Sequence, residues 1–131
     1  MKTFLTTAGV LCLTAGMALA DPVFGTWKTT PDDNGNYGHI QIQQCGSTIC
    51  GKLVKAFDKS GKTIESEHTG KKIIWNMSPK SDGKYAGGKV WAPDRDKTYN
   101  SKMHLKSASK LAISGCILGI CRDGGTWARV N

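Results

Sequence analysis

Four of the five cysteines in this 131-residue chain carry the widest range of possible chemistry, and they come in two equal pairs. Cys45 and Cys50 enclose Gly-Ser-Thr-Ile, while Cys116 and Cys121 enclose Ile-Leu-Gly-Ile, so both pairs have the spacing C-x4-C. Such pairs can serve as metal half-sites, redox thiols or structural bridges. A four-thiolate zinc site would use this spacing at the long end of its range. A reactive thiol needs a helix N-terminus or a cation beside it. Arg122 follows Cys121, but no C-x-x-C opens a helical segment. Disulfides fit better, because each pair brackets a strand reversal. Opposed residues on antiparallel strands have Cα atoms about 4.5–5.5 Å apart, inside the roughly 4.4–6.8 Å that a disulfide accepts. Four cysteines allow three connectivities; local geometry favours Cys45–Cys50 and Cys116–Cys121.

No other set of residues assembles into a catalytic or metal site. His39, His68 and His104 fall on polar strand faces or in a polar loop, and no two have ligand spacing. Asp94 and Asp96 flank Arg95 without the further ligands of a calcium loop, so they read as a turn. There is no Gly-x-Ser-x-Gly elbow and no glycine-rich phosphate loop before a helix. The expectation is a non-enzymatic protein with no catalytic residue, cofactor or metal.

The compartment supports bridges over thiols. Lys2 precedes "FLTTAGVLCLTAGMALA", which ends in Ala18-Leu19-Ala20. A basic start, a short apolar run and a small-x-small end are the parts of a secretory signal. The run is too short and too rich in Thr and Gly for a membrane span. Leu11 before Cys12 argues against lipid attachment. Residues 1–20 therefore read as a cleaved signal peptide and 21–131 as one mature domain. The mature part keeps an even four cysteines, as expected of an exported domain. The net charge of +8 falls to +7 when Lys2 leaves, a basic surface suited to anionic lipid or glycan; export disfavours nucleic acid as a partner.

The elements that hold these residues are short and alternating. "YGHIQIQQ" puts Ile40 and Ile42 on one face and His39, Gln41 and Gln43 on the other, the period of a half-buried strand. "VFGTWKTT", "GKLVKAF", "IIWNM", "KYAGGKVWA", "KTYNSKMHLK", "LAISGC" and "GTWARV" follow the same rule, with Gly, Asn, Asp and Ser turns between them. "DKSGKTIESEHTGKK" has no apolar face and reads as a long loop. About eight strands in successive hairpins, with no helix, predict an all-β fold: a single small antiparallel up-and-down β-barrel with two hairpin disulfides.

The segments "FGTWKT", "GHIQIQQCGSTICGKLV", "GGKVWAPDRDKTYNSKMHL" and "LAISGCILGICRDGGTWARV" resemble domain of unknown function 2147, a set of small exported bacterial proteins. The resemblance covers nearly all of the mature chain and implies export and an all-β fold, with no established activity. The chain departs from it before Ile73, where "KTIESEHTGKK" replaces a stretch with Asn-Pro-Asp and arginine. A looser pattern, Gly25-x-Trp27 on the first strand with Arg129 after Trp127 on the last, is similar to the lipocalin-like arrangement. There a guanidinium covers the indole that closes the barrel, a contact worth roughly 0.5–2 kcal/mol. Gly25, Trp27, Trp127 and Arg129 are thus expected to close the barrel.

Tyr85, Lys89 and Trp91 share parity on "KYAGGKVWA". If Trp91 points inward, Lys89 does too, and with Tyr99 and Met103 it could meet the acidic headgroup of a ligand. A bulge at Gly87-Gly88 would instead turn Lys89 to solvent. The reading that results is a periplasmic or secreted β-barrel binding a small ligand or an envelope partner without spanning the membrane. The alternative is a basic adaptor touching anionic lipid or glycan surfaces through lysine-rich faces.

Overall fold

The computed structural model describes residues 20–131; the expected signal segment, residues 1–19 with its boundary at Ala20, lies outside the described residues but for Ala20 itself. Nine strands follow one another: β1 (Gly25–Lys28), β2 (Tyr37–Cys45), β3 (Thr48–Phe57), β4 (Thr63–Ile64), β5 (Lys72–Ser81), β6 (Lys84–Ala92), β7 (Lys97–Ser107), β8 (Lys110–Ile117) and β9 (Ile120–Arg129). Eight of them close a ring in chain order, each antiparallel to its neighbours, with β9 returning to β1 and β4 outside it. The expected up-and-down barrel is the observed one, and no helix occurs among the described residues. The polar segment after Phe57 is not wholly loop: β4 pairs with the end of β3, Ala56 opposite Ile64. The last strand is also longer than the expected "GTWARV", because Ile120 to Gly124 extend the hairpin with β8.

Closure makes the two ends of the barrel different. The turns β2–β3, β5–β6 and β7–β8 gather at one end with residues 21–24 and the C-terminus. The longer β1–β2 and β3–β5 connections gather at the other end with the tips of β6–β7 and β8–β9. The alternation read from the sequence fills the first end: Val23, Trp27, Ile42, Ile74, Met77 and Leu111 are all fully buried. An aliphatic side chain buried in this way contributes about 1.5–3 kcal/mol.

The two disulfides divide between the ends. Cys45–Cys50 staples the β2–β3 turn at the filled end, and Cys116–Cys121 staples the β8–β9 turn at the other. Only the second joins directly opposed residues. Cys45 faces Thr48 and Cys50 faces Gln43, so the first bridge runs diagonally across its hairpin.

A bulge sets the phase of β6. Tyr85 pairs with Met103 and Gly88 with Ser101, so β6 carries one extra residue there. Gly87 has φ +81°, and a Cβ on Gly88 would stand 2.6 Å from the Trp75 carbonyl oxygen. One glycine supplies the left-handed turn and the other the space, and no bulkier pair could do both.

Candidate functional site

The filled end is built around one cation. The Trp27 indole is buried and donates from Nε1 to the Val23 carbonyl at 2.9 Å. The Arg129 guanidinium lies 4.4 Å from the Trp27 ring centroid. It donates to the carbonyls of Pro22, Phe24 and Ala108. Gly25 makes this possible: a Cβ there would stand 2.5 Å from Arg129 Nη1. Trp127 is buried opposite Leu111 and lines the floor of the space above. Asp21 ties the entering chain to the wall, accepting from the Tyr85 hydroxyl and from the Val23 amide. Burial, then the Asp21 carboxylate, pushes the Tyr85 phenol up from its ordinary value near 10.0.

The five residues singled out for ligand contact separate into three groups. Tyr85 and Met103 are buried in the core, opposite each other. Tyr99 faces the space above the core. The bulge after Tyr85 turns Val90 inward, so Lys89 leaves the interior for the outer wall, while Trp91 stands half-buried at the rim of the cavity. Lys89 is exposed and donates to Asn100 Oδ1 at 2.6 Å on the outer wall. No acidic headgroup inside the barrel can meet it.

Above Trp127 the barrel is open. A cavity of about 1220 Å³ opens at this end, with Ile40, Ile73, Val90, Tyr99, Ile113 and Trp127 among its walls. Val90 and Ile113 come from the alternating strands, so this floor follows from the same pattern that fills the other end. The rim is made by connections. Trp91 stands there with the His68 ring edge-on at 5.0 Å and the Lys71 ammonium 5.4 Å from its centroid, and it donates from Nε1 to Asp96 at 3.0 Å. His68 Nδ1 is buried without a hydrogen bond among the described residues, which costs roughly 1–3 kcal/mol.

The acidic residues of the rim were not visible as a group in the sequence. Asp32, Asp33, Glu65, Asp94 and Asp123 all line the opening, from four separate connections or strands. Asp32 accepts from the Asn34 and Asn36 amides, and Asp123 from the Gly125 amide, so each also shapes its own turn. Arg95 sits among the others; the Tyr99 hydroxyl, then Asp94 and Asp33, favour its charged form. Beside this rim projects the β8–β9 tip, where Ile117, Leu118 and Ile120 are 58%, 93% and 68% exposed. Leu118 holds φ +52°, a conformation that costs a branched side chain about 1–2 kcal/mol.

In overall structure the protein is similar to protein HP1028 from the human pathogen Helicobacter pylori, which is described as belonging to the lipocalin family. The match has a TM-score of 0.71 and covers 86% of this chain and 85% of that one. At 14% identity it shows a shared fold. No curated protein matches the sequence. The family model of an uncharacterised protein conserved in bacteria (DUF2147) matches residues 25–129, which hold every strand of the ring. The chain belongs to this bacterial family.

Proposed function

We propose that the protein is exported, loses residues 1–20 and works as a non-enzymatic carrier that holds a small amphiphilic ligand in the open end of its barrel. Two disulfides belong with an oxidising, non-cytoplasmic compartment, and the N-terminal residues have the parts of a signal. The observation that carries the reading is the cavity of about 1220 Å³ over an apolar floor. An eight-stranded barrel is just wide enough either to fill with side chains or to hold one small ligand. Here one half is filled and the other is not. A lipocalin-like barrel is a binding scaffold more often than a catalytic one, and the rim offers carboxylates and aromatic rings to a ligand. Native mass spectrometry of protein purified from the cell envelope tests the reading. A co-purifying small molecule that Val90→Trp displaces is the expected result; a ligand-free spectrum with no thermal shift on adding envelope lipid extract would overturn it.

A second reading rests on the outer wall. Strands β5 to β8 carry Lys72, Lys80, Lys84, Lys89, Lys97, Lys102, Lys106 and Lys110, all exposed, and not one Asp or Glu. Such a face suits an anionic surface as an adaptor would. Sedimentation with phosphatidylglycerol vesicles should then fall as salt rises from low to physiological strength. Binding that ignores salt, or no binding at all, removes this reading.

A further inference from the structure

We infer that the ligand of the open end pairs an apolar tail with a cationic head. The inference rests on the carrier reading and names the chemistry of its cargo. The chain as a whole is basic, with 18 Lys and Arg against 10 Asp and Glu. Its opening reverses that balance. Five acidic side chains line it, and no lysine does so among the described residues. Two arginines, Arg95 and Arg122, stand among them, so five carboxylates outnumber the guanidinium groups of the opening among the described residues.

The sorting of charge follows from closure. Lysines of the strands point outward because inward positions are apolar, as Lys89 beside Val90 illustrates. The acids sit in the connections, and the connections with room for several of them meet at one end. A cleft lined by one sign, set in a body of the other sign, concentrates the field at its mouth. A cation repelled by the lysine wall is attracted to the opening, and an anion is held on the wall. The rings at the rim also accept cations. The Lys28 ammonium stands 4.5 Å from the Tyr37 centroid, and Lys71 covers Trp91. Both rings line the cavity, so the surface that would receive a ligand head already receives the chain's own ammonium groups. Below the head, Ile40, Ile73, Val90, Ile113 and Trp127 offer an apolar seat for the tail.

Three surfactants with one tail separate head from tail: dodecyltrimethylammonium, dodecyl maltoside and dodecyl sulfate, each below its micelle concentration. Titration calorimetry on the disulfide-intact protein is compared with Val90→Trp, which intrudes on the apolar seat, and with Ala92→Trp, which crowds the rim two residues further along the strand. Only binding that these variants remove counts as binding in the opening; anion held on the lysine wall survives them. The expected result is plug-sensitive binding of the ammonium about tenfold tighter than of the maltoside. In the triple variant Asp33→Asn, Glu65→Gln, Asp94→Asn that preference should fall below about threefold; none of these three carboxylates holds a turn. If the maltoside or sulfate binds in the opening as tightly as the ammonium, the charge inference is overturned and the carrier stands. If none of the three shows plug-sensitive binding, the carrier reading falls, and this inference with it.

Discussion

The two disulfides close loops of equal length, each with a sequence separation of 5, yet they serve opposite ends of the barrel. At the filled end Cys50 is buried beside Ile49, and the surrounding side chains satisfy one another: Arg129 on Trp27, Tyr85 on Asp21, Trp27 on Val23. At the open end Cys121 is exposed, and beyond it Ile117, Leu118 and Ile120 stand in solvent. Here Leu118 takes a left-handed backbone, His68 Nδ1 lacks a partner, and acids crowd a rim. One end is locally consistent at every level. The other gives up stability in several small ways. Local conflict of this kind collects where a protein meets something else, which supports the proposal that the open end is the working one.

The largest effect should come from the tryptophans. Trp27→Ala empties the filled end and strips Arg129 of its ring, at a cost of about 3–5 kcal/mol. Trp91→Ala removes an equally large but only partly buried side chain from the rim, where it meets His68 and Lys71 and donates to Asp96; its cost should stay near 1 kcal/mol. Urea unfolding of both variants measures the gap. Equal losses would mean that the rim is core and the two ends do not differ.

Removing the staples one at a time sharpens the same contrast. The chain-entropy gain of either six-residue loop is about 2 kcal/mol, so loop length cannot separate them. Each bridge has one buried cysteine, Cys50 or Cys116, but the partner Cys45 is half-buried and the partner Cys121 exposed. Cys45→Ala with Cys50→Ala should lower global stability by that amount and more, since both side chains pack at the filled end. Cys116→Ala with Cys121→Ala should cost less and act locally, raising hydrogen exchange at Ile117 to Arg122 while the filled end stays protected. Exchange that rises evenly around the barrel would contradict a division between its ends.

What the sequence revealed follows the same division. The alternation of Ile40 and Ile42, the turns, Gly25-x-Trp27 and the late arginine are local patterns, and the barrel and its filled end were legible from them. The reason for Gly25 was not, because it lies in Arg129, more than a hundred residues away. The rim was illegible for a related reason: Asp33, Glu65, Asp94 and Asp123 share no spacing and meet only because the barrel closes. Lys89 depended on a single phase. Parity placed it with Trp91, but one extra residue at Gly87-Gly88 sent Lys89 to the outer wall while Trp91 came to stand at the rim. Pattern fixes which residues travel together, and a bulge fixes which way they go.

The strain at Leu118 gives a smaller and opposite prediction. Asparagine tolerates the left-handed conformation that leucine resists, and the exposed leucine side chain contributes little packing to the fold. Leu118→Asn should therefore stabilise the protein by about 1 kcal/mol, read as a rise in the urea midpoint at unchanged slope. At the filled end no comparable gain should exist: Gly25→Ala, which strains nothing in the free chain, forces a Cβ against Arg129 and should destabilise. A Leu118→Asn variant no more stable than the parent would remove the sign of compromise from the open end.

The smallest effects concern pH, and they should divide between the two ends with opposite signs. At the open end His39 packs against Phe57 at 4.5 Å. Burial, then Lys55 and Lys28, hold its imidazolium below the ordinary 6.5. The unfolded chain then takes up a proton that the folded one refuses, so stability is full above 6.5 and declines as pH falls from there to the folded value. At the filled end Tyr85 is raised above its ordinary 10.0 by burial and Asp21. The unfolded chain gives up a proton that the fold retains, so stability is full below 10.0 and declines as pH rises beyond it. His39→Gln should flatten only the acid limb of a plot of urea midpoint against pH, and Tyr85→Phe only the alkaline limb. Because Phe keeps the ring but loses the bond to Asp21, its whole curve should also sit lower, whereas the glutamine variant should match the parent above neutrality. An acid limb that survives His39→Gln unchanged would overturn its assignment to His39.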